Sequence, residues 1–287
     1  MPRPRLKKFK RADIADPLEL QPRDLALLRD VAEFRFLNTR QILALHQGGE
    51  RNLLRRLSSL YQHGYLDRPK SQTSARLASS HMVYALGRKG AELLSENAGE
   101  RAAIYRRVRE TERTLPLMAH GLMISQFRVC LTLAAKEQGM KITRWSQGYD
   151  LKDILRDVHG RNPSLVPDAF FTLEDKGEVI NFFLEADRGT MTAARFVKKL
   201  KIYWSWRSDE KLKGKLRLAH FRVLTVAPSQ GRSDALRRAG KGGDPRGDGS
   251  LMFLFLSETK YSLENPEDIL SLFWSSPKDD SLRSILE

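Results

Sequence analysis

The 287-residue sequence contains a single cysteine, Cys130. One thiol excludes an internal disulfide and a cysteine-based zinc site, and the expected compartment is the reducing cytoplasm. Long hydrophobic runs are also missing. The longest, LMFLFL at Leu251–Leu256, falls far short of the roughly 18–20 residues that span a bilayer. The basic opening MPRPRLKKFKR is not followed by an apolar segment, so no signal peptide is expected and no membrane insertion. The six histidines form no His-x-His pair, and no Walker A loop occurs. These absences argue against histidine-cluster metal chemistry and an ATP-driven motor.

What the sequence has is positive charge. Fifty Lys and Arg stand against 35 Asp and Glu, a net charge of +15, with 41% hydrophobic residues to build a core. Such a balance suits a polyanionic partner, nucleic acid first. The charge is concentrated early: residues 1–120 hold 23 basic against 13 acidic residues, and the remainder 27 against 22.

Periodicity in the first third predicts three helices and a hairpin. A basic arm, 1–12, is expected to be disordered. QPRDLALLRDVAEF forms a helix opened by Pro22. LNTRQILALHQ forms a second, with Asn38 or Thr39 as N-cap. GERNLLRRLSSLYQHG forms a third, with Leu53, Leu54, Leu57, Leu60 and Tyr61 inward and Gly64 as its stop. Two strands, YLDRP and HMVYAL, then flank a polar loop, and a further helix starts near Gly87. This is the order of a winged helix-turn-helix, expected over residues 13–97. Arg51, Asn52, Arg55 and Arg56 lie on the polar side of the third helix, where they suit base edges and phosphates of double-stranded DNA. Lys70 and Arg76 would sit on the wing. A charged helical connector follows, 98–115.

From 116 to 287 apolar strands alternate with helices, which predicts a mixed-sheet α/β domain. Its most informative stretch is PDAFFTLEDKGEVINFFLEADRGT, Pro167–Thr190. With Lys176-Gly177 as a two-residue hairpin loop, paired residues sum to 353. Asp168 then opposes Glu185, and Asp187 follows two residues on along the same face. Three carboxylates so placed repel unless a cation joins them. Oxygen donors without histidine or cysteine favour Mg2+ or Mn2+. On the next helix, TAARFVKKLKIYWSWR, Lys199 and Tyr203 share a face, with Lys198 a lesser rival to Lys199. Phe196, Leu200 and Trp204 are expected in the core. Arg188 beside the acids is a candidate phosphate ligand or a partner for Asp187. GKGGDPRGDGS, 240–250, reads as a flexible surface loop, and the tail SSPKDDSLRSILE offers at most a short helix.

The acids, P-D on one strand and E-x-D on the next, resemble the restriction-endonuclease-like superfamily. VPDAFF, FFLEADRGTM, KLKIY and FRVLTVAPSQGR behind a winged helix are similar to the bacterial replication-relaxation family, itself related to the MobC class of plasmid relaxases. The resemblance runs from Pro22 to Leu256. It implies a winged helix followed by a restriction-endonuclease-like domain that nicks plasmid DNA at a transfer or replication origin, alongside other mobilisation or replication proteins. By position it makes Asp168 and Glu185 metal ligands, Asp187 the third acid and Lys199 the catalytic lysine. One departure stands out. The superfamily usually has lysine two residues after the glutamate, where this chain has Asp187. The alternative expectation is a non-catalytic DNA-binding accessory or transcriptional regulator with a degenerate nuclease domain.

Overall fold

The computed structural model describes residues 8–12, 16–46, 48–73, 81–95, 104 and 115–287. The chain divides into two compact units, Met1–Val129 and Cys130–Glu287. Residues 1–7, the 74–80 segment that includes Arg76, and nearly all of the 98–115 connector lie outside the described residues.

In the first unit, α1 (Pro22–Phe34) has Pro22 in its first turn. Asp24 closes that turn by accepting a hydrogen bond from the Gln21 amide at 2.7 Å. β1 (Leu37–Asn38) leads into α2 (Thr39–Leu45), which begins on a reciprocal capping box. The Asn38 side chain accepts from the Gln41 amide at 3.0 Å, and the Gln41 side chain accepts from the Asn38 amide at 2.9 Å. The cap is therefore Asn38. α3 (Glu50–Gln62) ends at Gly64, whose φ of +84° lets the chain reverse. β2 (Leu66–Asp67) and β3 (Val83–Leu86) complete a three-stranded antiparallel sheet of order β1-β3-β2, and α4 (Arg88–Leu94) follows.

Three expectations for this unit are corrected. Leu54 is exposed rather than inward, because Leu53, Leu57, Leu60 and Tyr61 already fill the buried stripe of α3. Arg56 turns inward and pairs with the fully buried Asp24 of α1. The end of the basic arm is held in place: Arg11 donates to the Tyr61 carbonyl at 2.9 Å, and Arg68 donates to the Lys8 carbonyl at 2.7 Å. Arg68 also lies 4.2 Å over the Tyr61 ring, a cation–π contact that adds to the anchoring.

α5 (Leu115–Glu137) crosses the division at 129/130. It is long and apolar enough to cross a membrane by length and composition, yet 56% of its most apolar window is buried within the protein. Its first half serves the first unit's core. Met118 packs with Phe36, Val83 and Ala85, and the Ser125 hydroxyl donates to the Phe36 carbonyl at 2.6 Å.

The second unit is a seven-stranded mixed sheet. β4 (Lys141–Gln147), β5 (Ala169–Asp175) and β6 (Glu178–Ala186) form an antiparallel meander. β7 (Arg222–Ala227) and β8 (Phe253–Ser257) add in parallel to β6, and β9 (Trp274–Ser275) with β10 (Leu282–Arg283) finish the sheet antiparallel. The sheet order is β10-β9-β8-β7-β6-β5-β4. The β5–β6 register runs from Ala169↔Leu184 to Asp175↔Glu178, as the 353 sum predicts. Lys176 and Gly177 both have positive φ, +48° and +88°, the conformation of the tight turn whose twist matches antiparallel strands.

Both faces of β5 and of the second half of β6 are buried, which explains their nearly continuous apolar sequence, while β4 at the edge is largely exposed or half-buried. Phe171 stacks on Phe182 and on Trp145 on one face, with centroids 4.9 and 5.2 Å apart. Phe170 and Phe183 face the other way, into the main core. There α7 (Ala193–Trp206) lays down Phe196, Leu200, Tyr203 and Trp206. Each such buried side chain is worth about 1.5–3 kcal/mol relative to exposure. Trp204 is only half-buried, with Arg207 4.3 Å over its ring, so Trp206 takes the core position expected of Trp204.

Two further helices, α6 (Tyr149–His159) and α8 (Glu210–Leu216), were not anticipated from the sequence. α9 (Gln230–Gly240) follows β7. The glycine-rich segment after it is not a free surface loop. A Cβ at Gly249 would stand 2.3 Å from the Pro277 carbonyl, so this loop is packed on the carboxyl-terminal segment. That segment is a strand rather than a helix, with Ile285 fully buried.

Candidate active site

Strand alternation explains why Glu185 points at α7. Phe183 and Glu185, two residues apart on β6, share a face, and that face is the one α7 covers. Phe196, Leu200 and Tyr203 anchor α7 there, which brings Lys199 over the carboxylate. The Lys199 ammonium donates to Glu185 Oε2, and the Tyr203 hydroxyl donates to Oε1 at 2.6 Å. Glu185 is 3% exposed. These groups lie at the carboxyl ends of the parallel strands β6 and β7, the end where open α/β sheets place ligands.

Asp168 stands next before β5, half-buried, in line with Glu185 by the hairpin register. Its carboxylate accepts from the Ala186 amide at 2.7 Å. Asp187 has a different role from that expected. Arg232, in the first turn of α9, grips it with two hydrogen bonds, Nε to Oδ2 at 2.7 Å and Nη2 to Oδ1 at 3.1 Å. The Gly189 amide adds a third at 2.9 Å. The cluster is thus Asp168, Glu185 and Lys199 with Tyr203 behind, and Asp187 beside it in an arginine clamp. Among the described residues no group of three or more His, Cys, Asp or Glu is arranged to hold a metal ion.

The electrostatics are those of a buried, crowded site. Burial, countered by the Lys199 charge and assisted by that of Asp168, pushes the Glu185 carboxyl up to about 7. Burial pulls Lys199 down, but Glu185 and Asp168 outweigh it and leave the ammonium above its ordinary value. Burial also lifts the Tyr203 phenol well above its usual range, so it stays a hydrogen-bond donor at neutral pH. A stability signature follows. A carboxyl whose folded pKa is raised stabilises the fold below its unfolded value near 4.5, and that stabilisation is lost as pH rises through about 7. Glu185→Gln keeps an acceptor for Lys199 and a group for Tyr203 but cannot ionise. Melting curves without metal are expected to show the variant gaining a few degrees on wild type between pH 5 and pH 8. Parallel pH profiles would refute this assignment.

Of the residues assigned to DNA, Arg51, Asn52 and Arg55 are exposed on α3, and Lys70 is exposed in the 3-10 turn Lys70–Thr73. Arg56 is taken by Asp24. Arg188 is exposed next to Asp187, and its charge acts on Glu258 rather than replacing Arg232. Lys198 is exposed and Lys201 likewise, so Lys199 is the lysine at the site. Sequence reasoning missed Arg232. The available signal was SQGR, an N-cap serine with arginine three residues on, directly after a parallel strand.

A family model described as Replication-relaxation matches residues 28–215. The chain belongs to the replication-relaxation family. Membership assigns it to replication and DNA processing. The matched span carries Asp168, Glu185, Asp187, Lys199 and Tyr203 and stops before Arg232. Comparisons with curated proteins and with solved structures gave no match. Within this replication-relaxation protein, both the exposed basic face of α3 and the carboxylate–lysine site fall inside the family's own span.

Proposed function

We propose that the protein nicks one strand of double-stranded DNA at a plasmid replication or transfer origin by metal-dependent phosphodiester hydrolysis. In this reading the first unit is a winged helix that finds the site, and the second is a restriction-endonuclease-like domain of MobC-relaxase kind. The observation that carries it is Glu185, buried at a strand end, opposed by Asp168 and bound by Lys199.

The donor set fits a hard divalent cation. Asp168 and Glu185 supply carboxylate oxygens without histidine or cysteine, and two carboxylates beside each other favour a shared cation. Mg2+ or Mn2+ would be held by these two residues and would supply Lewis-acid polarisation of the phosphate and a more acidic water. Asp187, held by Arg232, fixes the end of β6. Lys199 opposes the burial that favours neutral Glu185 and brings positive charge beside the reacting phosphate, where it stabilises charge that develops in the transition state. Tyr203 fixes the other carboxylate oxygen and closes the site to water from the core side. Arg188, at the exposed turn after β6, is the phosphate ligand of this unit.

On the first unit, Arg51, Asn52 and Arg55 would face base edges in the major groove, with Lys70 and Arg76 on the backbone. Cytoplasmic action fits the single buried thiol. The decisive assay is nicking of supercoiled DNA that carries the protein's own origin region, in Mg2+ or Mn2+. Metal-dependent open circles are expected, and a rise in melting temperature on metal addition. Replacing Arg51 and Arg55 by alanine is expected to weaken duplex binding by about 10–100-fold and to flatten the log–log salt slope by roughly 2.

A second reading has its own support. Both Glu185 oxygens already have protein partners, and Asp187 has Arg232. A non-catalytic DNA-binding accessory or regulator would bind the duplex with a steep salt slope, nick nothing, and show no change of melting temperature with metal.

A further inference from the structure

At the opposite end of the same strands lies a concavity of about 470 Å³. Its wall includes Asn181 on β6, Arg222 at the start of β7 and Met252 just before β8. Four residue steps along β6 separate Asn181 from Glu185, about 13 Å of strand at roughly 3.3 Å per residue. The two places are therefore distinct.

The rim of the concavity is cationic. Arg217 caps α8 in the left-handed conformation, φ +54°, and its side chain is exposed. Outside the lining itself but near Arg217, Arg144 of β4 donates to the Leu216 carbonyl at 3.0 Å and stands 5.2 Å over the Phe170 ring. Burial and then the Arg217 charge hold Arg144 below its ordinary value, so two guanidinium groups are kept close despite their repulsion. Arg222 donates to the Ile285 carbonyl, which leaves other N–H groups of its fork to use. Among the described residues Arg144 and Arg217 form no ion pair with a carboxylate, and the charge of Glu287 acts on Arg222. Asn181 and His220 are the other polar residues of the lining, and the remainder is apolar. Val179 and Leu251 flank the opening at 57% and 45% exposure, unusually high for their type, and Met252 lies between.

A volume of this size falls within the range of small-ligand sites. Guanidinium groups with N–H donors to spare suit a phosphate, because their fork matches its oxygens. The apolar side chains of Val179, Leu251 and Met252 on either side of Arg222 suit the face of a base. We propose that this concavity binds an unpaired nucleotide unit, with its phosphate on Arg217 and Arg222 and its base against Val179, Leu251 and Met252. The source is a single-stranded segment of DNA or a free nucleotide, which share this chemistry. The site stands independently of the nicking reading, since it uses none of that site's residues and no metal.

The test uses the full chain in EDTA. Fluorescein-labelled dT12 is titrated by anisotropy at two salt concentrations, with dTMP and inorganic phosphate as competitors. Two variants are compared with wild type: Arg217→Asn, which removes the charge while tolerating left-handed backbone, and Leu251→Glu, which places a repelling charge at the opening. Each is expected to weaken dT12 binding at least fivefold, with duplex affinity and melting temperature unchanged. Arg217→Asn should also reduce the single-strand salt slope by about 0.7. Competition by dTMP would assign the site to free nucleotides as well, and its failure would assign it to a strand. Unchanged dT12 affinity in both variants overturns the proposal. So does wild type that binds neither dT12 nor dTMP, or dT12 displaced as readily by inorganic phosphate as by dTMP.

Discussion

Lys199→Met will reduce metal-dependent nicking by about 10²–10³-fold, the loss seen when one preorganised charge or donor is removed from an active site. Methionine keeps the aliphatic stem that crosses the core beside Phe196 and Leu200, so the change isolates the ammonium. Without it Glu185 loses the charge that opposes its burial, and its carboxyl moves further toward the neutral form. A neutral carboxyl is a poor metal ligand, so the variant should also lose the rise in melting temperature on Mn2+ addition. Lys198→Met, one residue away on the exposed side of α7, should nick as wild type does. Duplex binding should be unchanged in both. Wild-type nicking by Lys199→Met would remove the lysine from the mechanism, whatever the fate of the domain's other groups.

Arg56→Met will lower the stability of the first unit by about 3 kcal/mol, on the order of 10 °C in melting temperature. The reason lies on α1. Asp24 is fully buried and accepts from the Gln21 amide and from two nitrogens of Arg56. Removing the guanidinium strands a buried carboxylate with one remaining donor, which is the costly half of breaking such a pair. The hydrogen bond to Asp24 raises the Arg56 pKa, so the guanidinium stays charged. Arg55→Met, on the exposed side of the same helix, should change stability by less than about 0.5 kcal/mol and act instead on DNA affinity. Calorimetry beside a duplex titration separates the two arginines. If Arg55→Met unfolds the unit and Arg56→Met only weakens DNA binding, the assignment of the two faces is reversed.

Those neighbours mark the limit of what periodicity reveals. The helical stripe in GERNLLRRLSSLYQHG located α3 and its buried leucines, and polarity alone put Arg55 and Arg56 together. Nothing local distinguishes them, because the partner that turns Arg56 inward sits 32 residues earlier on α1. The β5–β6 register was legible for the opposite reason. Its determinants, an apolar run on each side and a two-residue turn between, are all within twenty residues, and strand geometry leaves one solution. Lys199 and Tyr203 could be placed on a common face by helix spacing, and Glu185 could be aimed at them by strand alternation. Arg232 could not be placed. Its approach to Asp187 depends on β7 lying parallel beside β6, a long-range pairing with no trace in local pattern. Helices α6 and α8 were missed because short amphipathic stretches rich in charge read equally well as loops.

The Lys176-Gly177 turn acts as a ruler. It lies at the far end of the hairpin from Glu185, about 26 Å away along eight residue steps of strand at roughly 3.3 Å each. Yet its length decides which residue faces Glu185, since one added residue would slide the pairing by one and turn Asp168 to the other side of the sheet. The β4–β5 pair absorbs an irregularity between Ile142 and Arg144, whereas the β5–β6 pair has none along its whole length. Among family members this turn should therefore keep its length of two residues and be drawn from those that accept positive φ, glycine above all at the second position, a constraint imposed on an exposed loop by chemistry at the other end of the strand.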